Sequence, residues 1–144
     1  MAALAAGIGI IEVGWSIASV FKDSKRNAKL AGALLACTLA LREPFHSQSV
    51  SLVGFSLGCQ VTKSCLKTLS FLGATDVIQN VTFMGAAIDK MDKSKTRVKM
   101  ASVLSNIVAG EIKNVWTKKD WILAGLYTPC EGALAMGRDD VYPE

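Results

Sequence analysis

The chain has 144 residues, enough for one domain with a real core. Its net charge of +4 comes from lysines and arginines scattered among acids in KDSKRNAK, KMDKSKTRVK and TKKD, with none of the interleaved aromatics that a nucleic-acid stacking surface needs. One histidine and four cysteines without paired short spacing do not fit a zinc site, so neither a metal nor another cofactor is expected.

A mean hydropathy of +0.34 leans toward a membrane or a buried interface. The first apolar stretch, MAALAAGIGII, ends at Glu12. It is too short for a bilayer core of roughly 30 Å, which takes about 20 helical residues. It has no basic residues before it, as a secretory signal would. It reads as a buried helix, or, over residues 1–13, as the remnant of an upstream apolar or membrane region. Residues 15–41 predict one helix, or two with a break near Asp23 and Ser24. Leu30, Leu34, Leu35, Cys37 and Leu41 form its apolar face, and the alanines permit close packing. Pro44 ends it, since proline disfavours helix in the residue before it. A polar connector containing His46 leads to SVSLVGF, a strand apolar enough for burial on both faces and hence for a central position in a parallel sheet.

A helix over 57–72, stopped by Gly73, follows, then a second strand, QNVTFMG. A charged loop enters a helix at about 96–108. A third strand, EIKNVWT, precedes a short helix, WILAGLY, that Asp120 can cap. Beyond Thr128 no period is evident. Helix and strand alternate, which predicts an α/β fold: a parallel sheet of about three strands covered by helices on both faces. So few strands make a truncated sheet with exposed edges, which folded proteins avoid and a protein partner would cover. Residues 1–144 therefore read as a single partial domain. Cys37, Cys59, Cys65 and Cys130 read as reduced, buried thiols of an intracellular protein.

The chemistry centres on Gly54-Phe55-Ser56-Leu57-Gly58, between strand and helix. Gly-x-Ser-x-Gly in this context predicts a nucleophile elbow, with a strained turn that pushes the Ser56 hydroxyl out above the sheet. Gly54 and Gly58 would let neighbouring backbone approach. The Leu57 N–H would point at a developing oxyanion, aided by the helix dipole. Asp120 follows a later strand, where an acid could orient an imidazole, and it is also placed to cap WILAGLY. Asp89 is the second candidate acid, and Asp139 and Asp140 lie in the unpatterned tail. No base is in place. His46 precedes the strand, which carries it roughly 20 Å from Ser56, and Lys63 lies two turns down the helix. A nucleotide-binding reading lacks the lysine and the longer glycine loop of a phosphate cradle.

From Trp15 to Gly137 the chain resembles the transmembrane and coiled-coil domain-containing protein family. The likeness is carried by GWSIASVFKDSKRNAKLAGALLACTL, SVSLVGFSLGCQVTKSCL, IQNVTFMGAAI and VLSNIVAGEIKNVWTKKDWILAGLY, and fades in LAMGRDD. The resemblance implies an α/β-hydrolase fold, Ser56 as nucleophile and Asp120 as acid. It implies membrane association through a segment upstream, inside the cell, and chemistry of the esterase or lipase type. The family pattern also has strands before the elbow and a later histidine, neither of them in this chain. The isolated chain is then expected to be inactive for want of the triad histidine. The alternative is a non-catalytic, membrane-associated scaffold or interaction module.

Overall fold

A computed structural model describes residues 2–42, 47–89, 102–131 and 135–138, with side chains in all of these except 2–15, 17 and 129. His46, Asp139 and Asp140 lie outside the described residues. Helix α1 (Ala2–Ala40) is followed by strand β1 (Val50–Phe55), helix α2 (Gly58–Leu72) and strand β2 (Ile78–Met84). Then come a helical segment α3 at 102–107, strand β3 (Ile112–Val115), a π-helical turn (Leu123–Tyr127), the short helix α4 (Thr128–Glu131) and a 3₁₀ turn (Met136–Arg138).

The strands form one parallel sheet in the order β1-β2-β3. Val53 pairs with Thr82, and Phe55 with Met84, while Thr82 pairs with Lys113 and Met84 with Val115. Each strand is thus added on the same side of the last. A right-handed crossover then has to place its helix on the same face every time. The core agrees, for Ala36 and Leu39 of α1, Cys65, Leu66 and Leu69 of α2, Val81 and Phe83 of β2, and Leu104 and Ile107 of α3 belong to one buried cluster. The expected cover on both faces is absent among the described residues. Val53 is 69% exposed and Phe55 71%, and Val115, on the same face two strands away, is exposed too. Strand β1 is therefore an edge of the described sheet, not its centre. Its continuous apolar run predicted two buried faces, but strand order, which no local pattern reveals, left one of them bare.

α1 is one unbroken helix, without a break at Asp23, and of its expected apolar face only Leu35 packs on the core. Leu30, Leu34, Cys37 and Leu41 are exposed. The buried positions are Ala28, Gly32, Ala36 and Leu39, at helical spacing. Small residues bring the backbones together. A Cβ at Gly32 would stand 2.3 Å from the Val61 carbonyl oxygen and 2.6 Å from the Ser64 Cβ. The Ser64 hydroxyl donates to the Lys29 carbonyl at 2.7 Å across the same seam.

Cys37, exposed, and Cys130, half-buried, likewise depart from the expectation of buried thiols, whereas Cys59 and Cys65 are buried. Burial pushes both of these thiols up to about 11, with backbone hydrogen bonding at Cys59 only partly offsetting it. At pH 8 both therefore stay in the unreactive thiol form. Iodoacetamide is expected to modify Cys37 in the native protein and to reach Cys59 and Cys65 only after denaturation. Peptide mass mapping checks this, and equal native modification of Cys37 and Cys65 would contradict the burial.

Candidate functional site

Ser56 stands between the last residue of β1 and the start of α2 with φ at +50°. For a residue with a Cβ, the left-handed region costs of order 1–2 kcal/mol. Arg42 and Asp76 also have positive φ, at 57° and 61°. Arg42 follows the end of α1, and such chain-reversing positions are common after helices. Ser56 precedes a helix, so capping does not account for it. The strain is held by the surroundings. The Ser56 N–H donates to the Met84 carbonyl at 2.9 Å, and its carbonyl accepts from Cys59 and Ala87, each at 3.1 Å.

The two glycines of the motif differ. A Cβ at Gly54 would come within 2.8 Å of the Thr62 hydroxyl and 3.0 Å of the Cys59 Cα, so a side chain there collides with α2. At Gly58 a Cβ would meet nothing within 4 Å, so the expected close approach does not occur there. The Cys59 thiol completes the turn by donating to the Gly54 carbonyl at 3.1 Å. Leu57 starts α2 without a side-chain cap, and the turn itself satisfies first-turn donors, with the Cys59 N–H bonded to the Ser56 carbonyl and the Gln60 N–H to the Leu57 carbonyl at 2.9 Å.

Asp120 caps the helix that follows β3, its Oδ1 accepting the Leu123 N–H at 2.9 Å. Its other oxygen, Oδ2, faces Gly85 and would lie 3.7 Å from a Cβ there. Gly85 follows Met84, whose carbonyl holds Ser56. The fold thus brings Asp120 to the carboxyl edge of the sheet beside the serine turn. No histidine is among the described residues.

Asp89 is engaged elsewhere. Its Oδ1 accepts the Tyr127 hydroxyl at 2.6 Å and lies 3.8 Å from the Lys25 ammonium, which also pairs with Glu131. Burial opposes ionisation of Asp89, but the Tyr127 hydroxyl and Lys25, Lys63 and Lys29 outweigh it and hold the carboxyl below its ordinary range. Lys25, its side chain only 11% exposed, lies 5.6 Å over the Tyr127 ring, and Phe21 meets that ring edge-on at 5.9 Å. These contacts tie α1 to α4. Burial, reinforced by Lys67, Lys25 and Lys29 and opposed by Asp89, pulls Lys63 below the usual lysine range.

A pocket of about 390 Å³ opens in front of Ser56. It is lined by Ser16, Val20, Phe21 and Ser24 of α1, by Ser56 and Leu57, and by Leu126. None of the α1 residues stood out in the sequence, because their role depends on where α1 crosses α2. A second unanticipated position is Gly137. The Gly137 N–H donates to the Ala86 carbonyl at 3.0 Å, the Met136 N–H to the Ile88 carbonyl at 2.9 Å, and the Gly137 carbonyl accepts from Thr117 at 3.2 Å. This segment closes the carboxyl edge of the sheet next to the residues that support Ser56.

The described residues thus form part of an α/β fold, a parallel sheet whose first strand delivers a serine in a strained turn to the start of a helix. The chain belongs to a family described as a protein of unknown function (DUF726), whose model matches residues 1–140. It is 33% identical over 134 residues to "Uncharacterized membrane protein C6F6.13c" of Schizosaccharomyces pombe, covering 93% of this chain and 16% of that protein. It is 32% identical over 129 residues to "Probable lipase MIL1" of Saccharomyces cerevisiae, covering 89% of this chain and 11% of that protein. It is also 32% identical over 124 residues to "Transmembrane and coiled-coil domain-containing protein STS1" of Oryza sativa subsp. japonica, covering 85% of this chain and 17% of that protein. The chain therefore spans between 11% and 17% of these relatives. No solved structure matches it.

Proposed function

We propose that this chain carries the nucleophile of a membrane-associated serine esterase or lipase, with Ser56 in that role. The observation that supports it is the left-handed φ of Ser56 immediately before α2, a strain that cap geometry does not explain and that concentrates at functional sites. In this reading Ser56 Oγ attacks an ester carbonyl and its proton passes to a base. The Leu57 N–H stabilises the oxyanion. The leaving alcohol takes the proton from that base, and water then releases the acyl group from Ser56. Asp120 orients the base through Oδ2 while Oδ1 caps its helix. The chain's one histidine, His46, precedes β1 at the far end from Ser56, so in this reading the base is an imidazole from elsewhere in a longer polypeptide and the 144 residues alone are expected not to turn over ester. The yeast relative's name points to the same chemistry. The names of the fission-yeast and rice relatives support membrane association, although no helix among the described residues is long and apolar enough to cross a membrane.

Labelling with a fluorophosphonate tests the assignment, on this chain and on any longer natural polypeptide that contains it. Ser56→Ala is expected to abolish labelling. Asp120→Asn should slow it by roughly ten-thousandfold where the base is present. Absence of labelling in every form would favour the second reading, an interaction module that keeps the architecture without the reaction. The bare sheet face bearing Val53, Phe55 and Val115 supports that alternative, since it calls for cover by further chain or a protein partner.

A further inference from the structure

The seam between α1 and α2 leads to a more specific inference about what Ser56 would meet. α2 begins at Gly58, and α1 runs alongside it with Gly32 against Val61 and Ser64. Four and eight residues earlier on α1 stand Ala28, still buried, and Ser24. From Ser24 back to Ser16 the same side of α1 overhangs the start of α2. There Phe21 packs on Tyr127 of the π-helical turn, and between that turn, α1 and the start of α2 lies the pocket in front of Ser56. Its volume of about 390 Å³ falls within the usual range for small-molecule sites, roughly 300–1,000 Å³.

The chemistry of the walls narrows the ligand. None of the seven described lining residues is charged, and Val20, Phe21, Leu57 and Leu126 make this surface predominantly apolar. A phosphate or a charged peptide side chain would be stripped of water there without a counter-charge. An alkyl chain has no charge to desolvate on entering and gains about fourfold in affinity for each methylene it buries. Phe21 is fixed in place by the edge-on Tyr127 ring, itself held by Asp89 and Lys25, so one wall is rigid. Val20 is 63% exposed and stands at the open side, where a chain would enter.

We propose that the groove between α1 and the Ser56 turn is an acyl-chain site, with the carbonyl of a fatty ester at Ser56 and its hydrocarbon tail along Val20, Phe21 and Leu126. This rests on the reading of Ser56 as nucleophile, but it can be tested without turnover. Equilibrium binding of 11-(dansylamino)undecanoic acid to the chain is measured by fluorescence and displaced with unlabelled fatty acids of eight, ten and twelve carbons. Binding is expected, with displacement strengthening about fourfold per added methylene until the pocket is filled. Ser56→Ala should bind as well as the parent chain. Val20→Trp and Leu126→Trp should each weaken binding at least tenfold. Val20 is exposed enough to take the larger ring without loss of fold, which circular dichroism checks. Val53→Lys, on the bare face of the sheet, should change nothing.

No binding by the parent chain, or binding unaffected by either tryptophan, overturns the proposal, as does loss of binding in Val53→Lys alone. The two readings separate cleanly. Fatty-acid binding without fluorophosphonate labelling of this chain or of any longer polypeptide that contains it leaves the acyl site standing and removes the nucleophile, whereas labelling without fatty-acid binding does the reverse.

Discussion

Gly137→Ala is expected to destabilise the domain by about 3 kcal/mol or more. An alanine Cβ at this position would lie 2.1 Å from the Ala86 nitrogen, 2.3 Å from the Gly85 carbonyl carbon and 2.7 Å from a Leu123 methyl. Two of these neighbours are backbone atoms, which cannot swing aside as the end of a long side chain would. Relief requires the 135–138 segment to withdraw from Ala86 and Ile88, with loss of the hydrogen bonds that Met136 and Gly137 donate there. At this chain length, such a loss corresponds to a thermal midpoint about 10 °C lower. The damage would also reach Ser56, whose carbonyl is held by the neighbouring Ala87 N–H. Gly58→Ala is the control: with nothing within 4 Å, it should leave stability unchanged or raise it by up to about 1 kcal/mol. Thermal unfolding followed by circular dichroism decides the matter, and a Gly137→Ala midpoint within about 3 °C of the parent would show that the segment is not packed as described.

That sensitivity could not be read from the local pattern. LAMGRDD has no period, and nothing in it shows that Gly137 meets the end of a strand some fifty residues earlier in the chain. The features that were legible are those whose signal is short-range. Gly54-Phe55-Ser56 after an apolar run locates the serine turn, and Asp120 before WILAGLY locates a cap that the Leu123 N–H does make. The features that were missed depend on how elements cross. Counting large apolar residues on α1 selects Leu30, Leu34 and Leu41, yet the packed face is built from Ala28, Gly32 and Ala36, because close backbone approach rewards small side chains over large ones. The alternation of helix and strand fixes a parallel sheet but not the direction in which strands are added. That direction leaves Val53 and Phe55 bare. The pocket in front of Ser56 is a product of both: it exists only because α1 is longer than α2 and packs against it through glycine.

Gly32→Ala carries the second large effect, and its sign is a direct test of that seam. In an exposed helix the change would stabilise by about 1 kcal/mol, since alanine loses less backbone entropy than glycine. Here the new Cβ would stand 2.3 Å from the Val61 carbonyl oxygen, 2.6 Å from the Ser64 Cβ and 3.0 Å from the Cys65 nitrogen. Overpacking of this kind costs about 3 kcal/mol when the neighbours are backbone, which leaves a net destabilisation of about 2 kcal/mol. The helices have to part, and the bond from the Ser64 hydroxyl to the Lys29 carbonyl lengthens with them. Since α1 also supplies Val20 and Phe21 to the pocket, the same change should weaken fatty-acid binding, although Gly32 lines no part of it. Leu34→Ala, on the face of α1 that is 70% exposed at that residue, should alter stability by no more than about 0.5 kcal/mol and leave binding unchanged. Urea unfolding of the two variants beside the parent chain separates the cases. If Gly32→Ala proves more stable than the parent, α1 is not seated on α2 at this distance, and the pocket wall it provides falls with it.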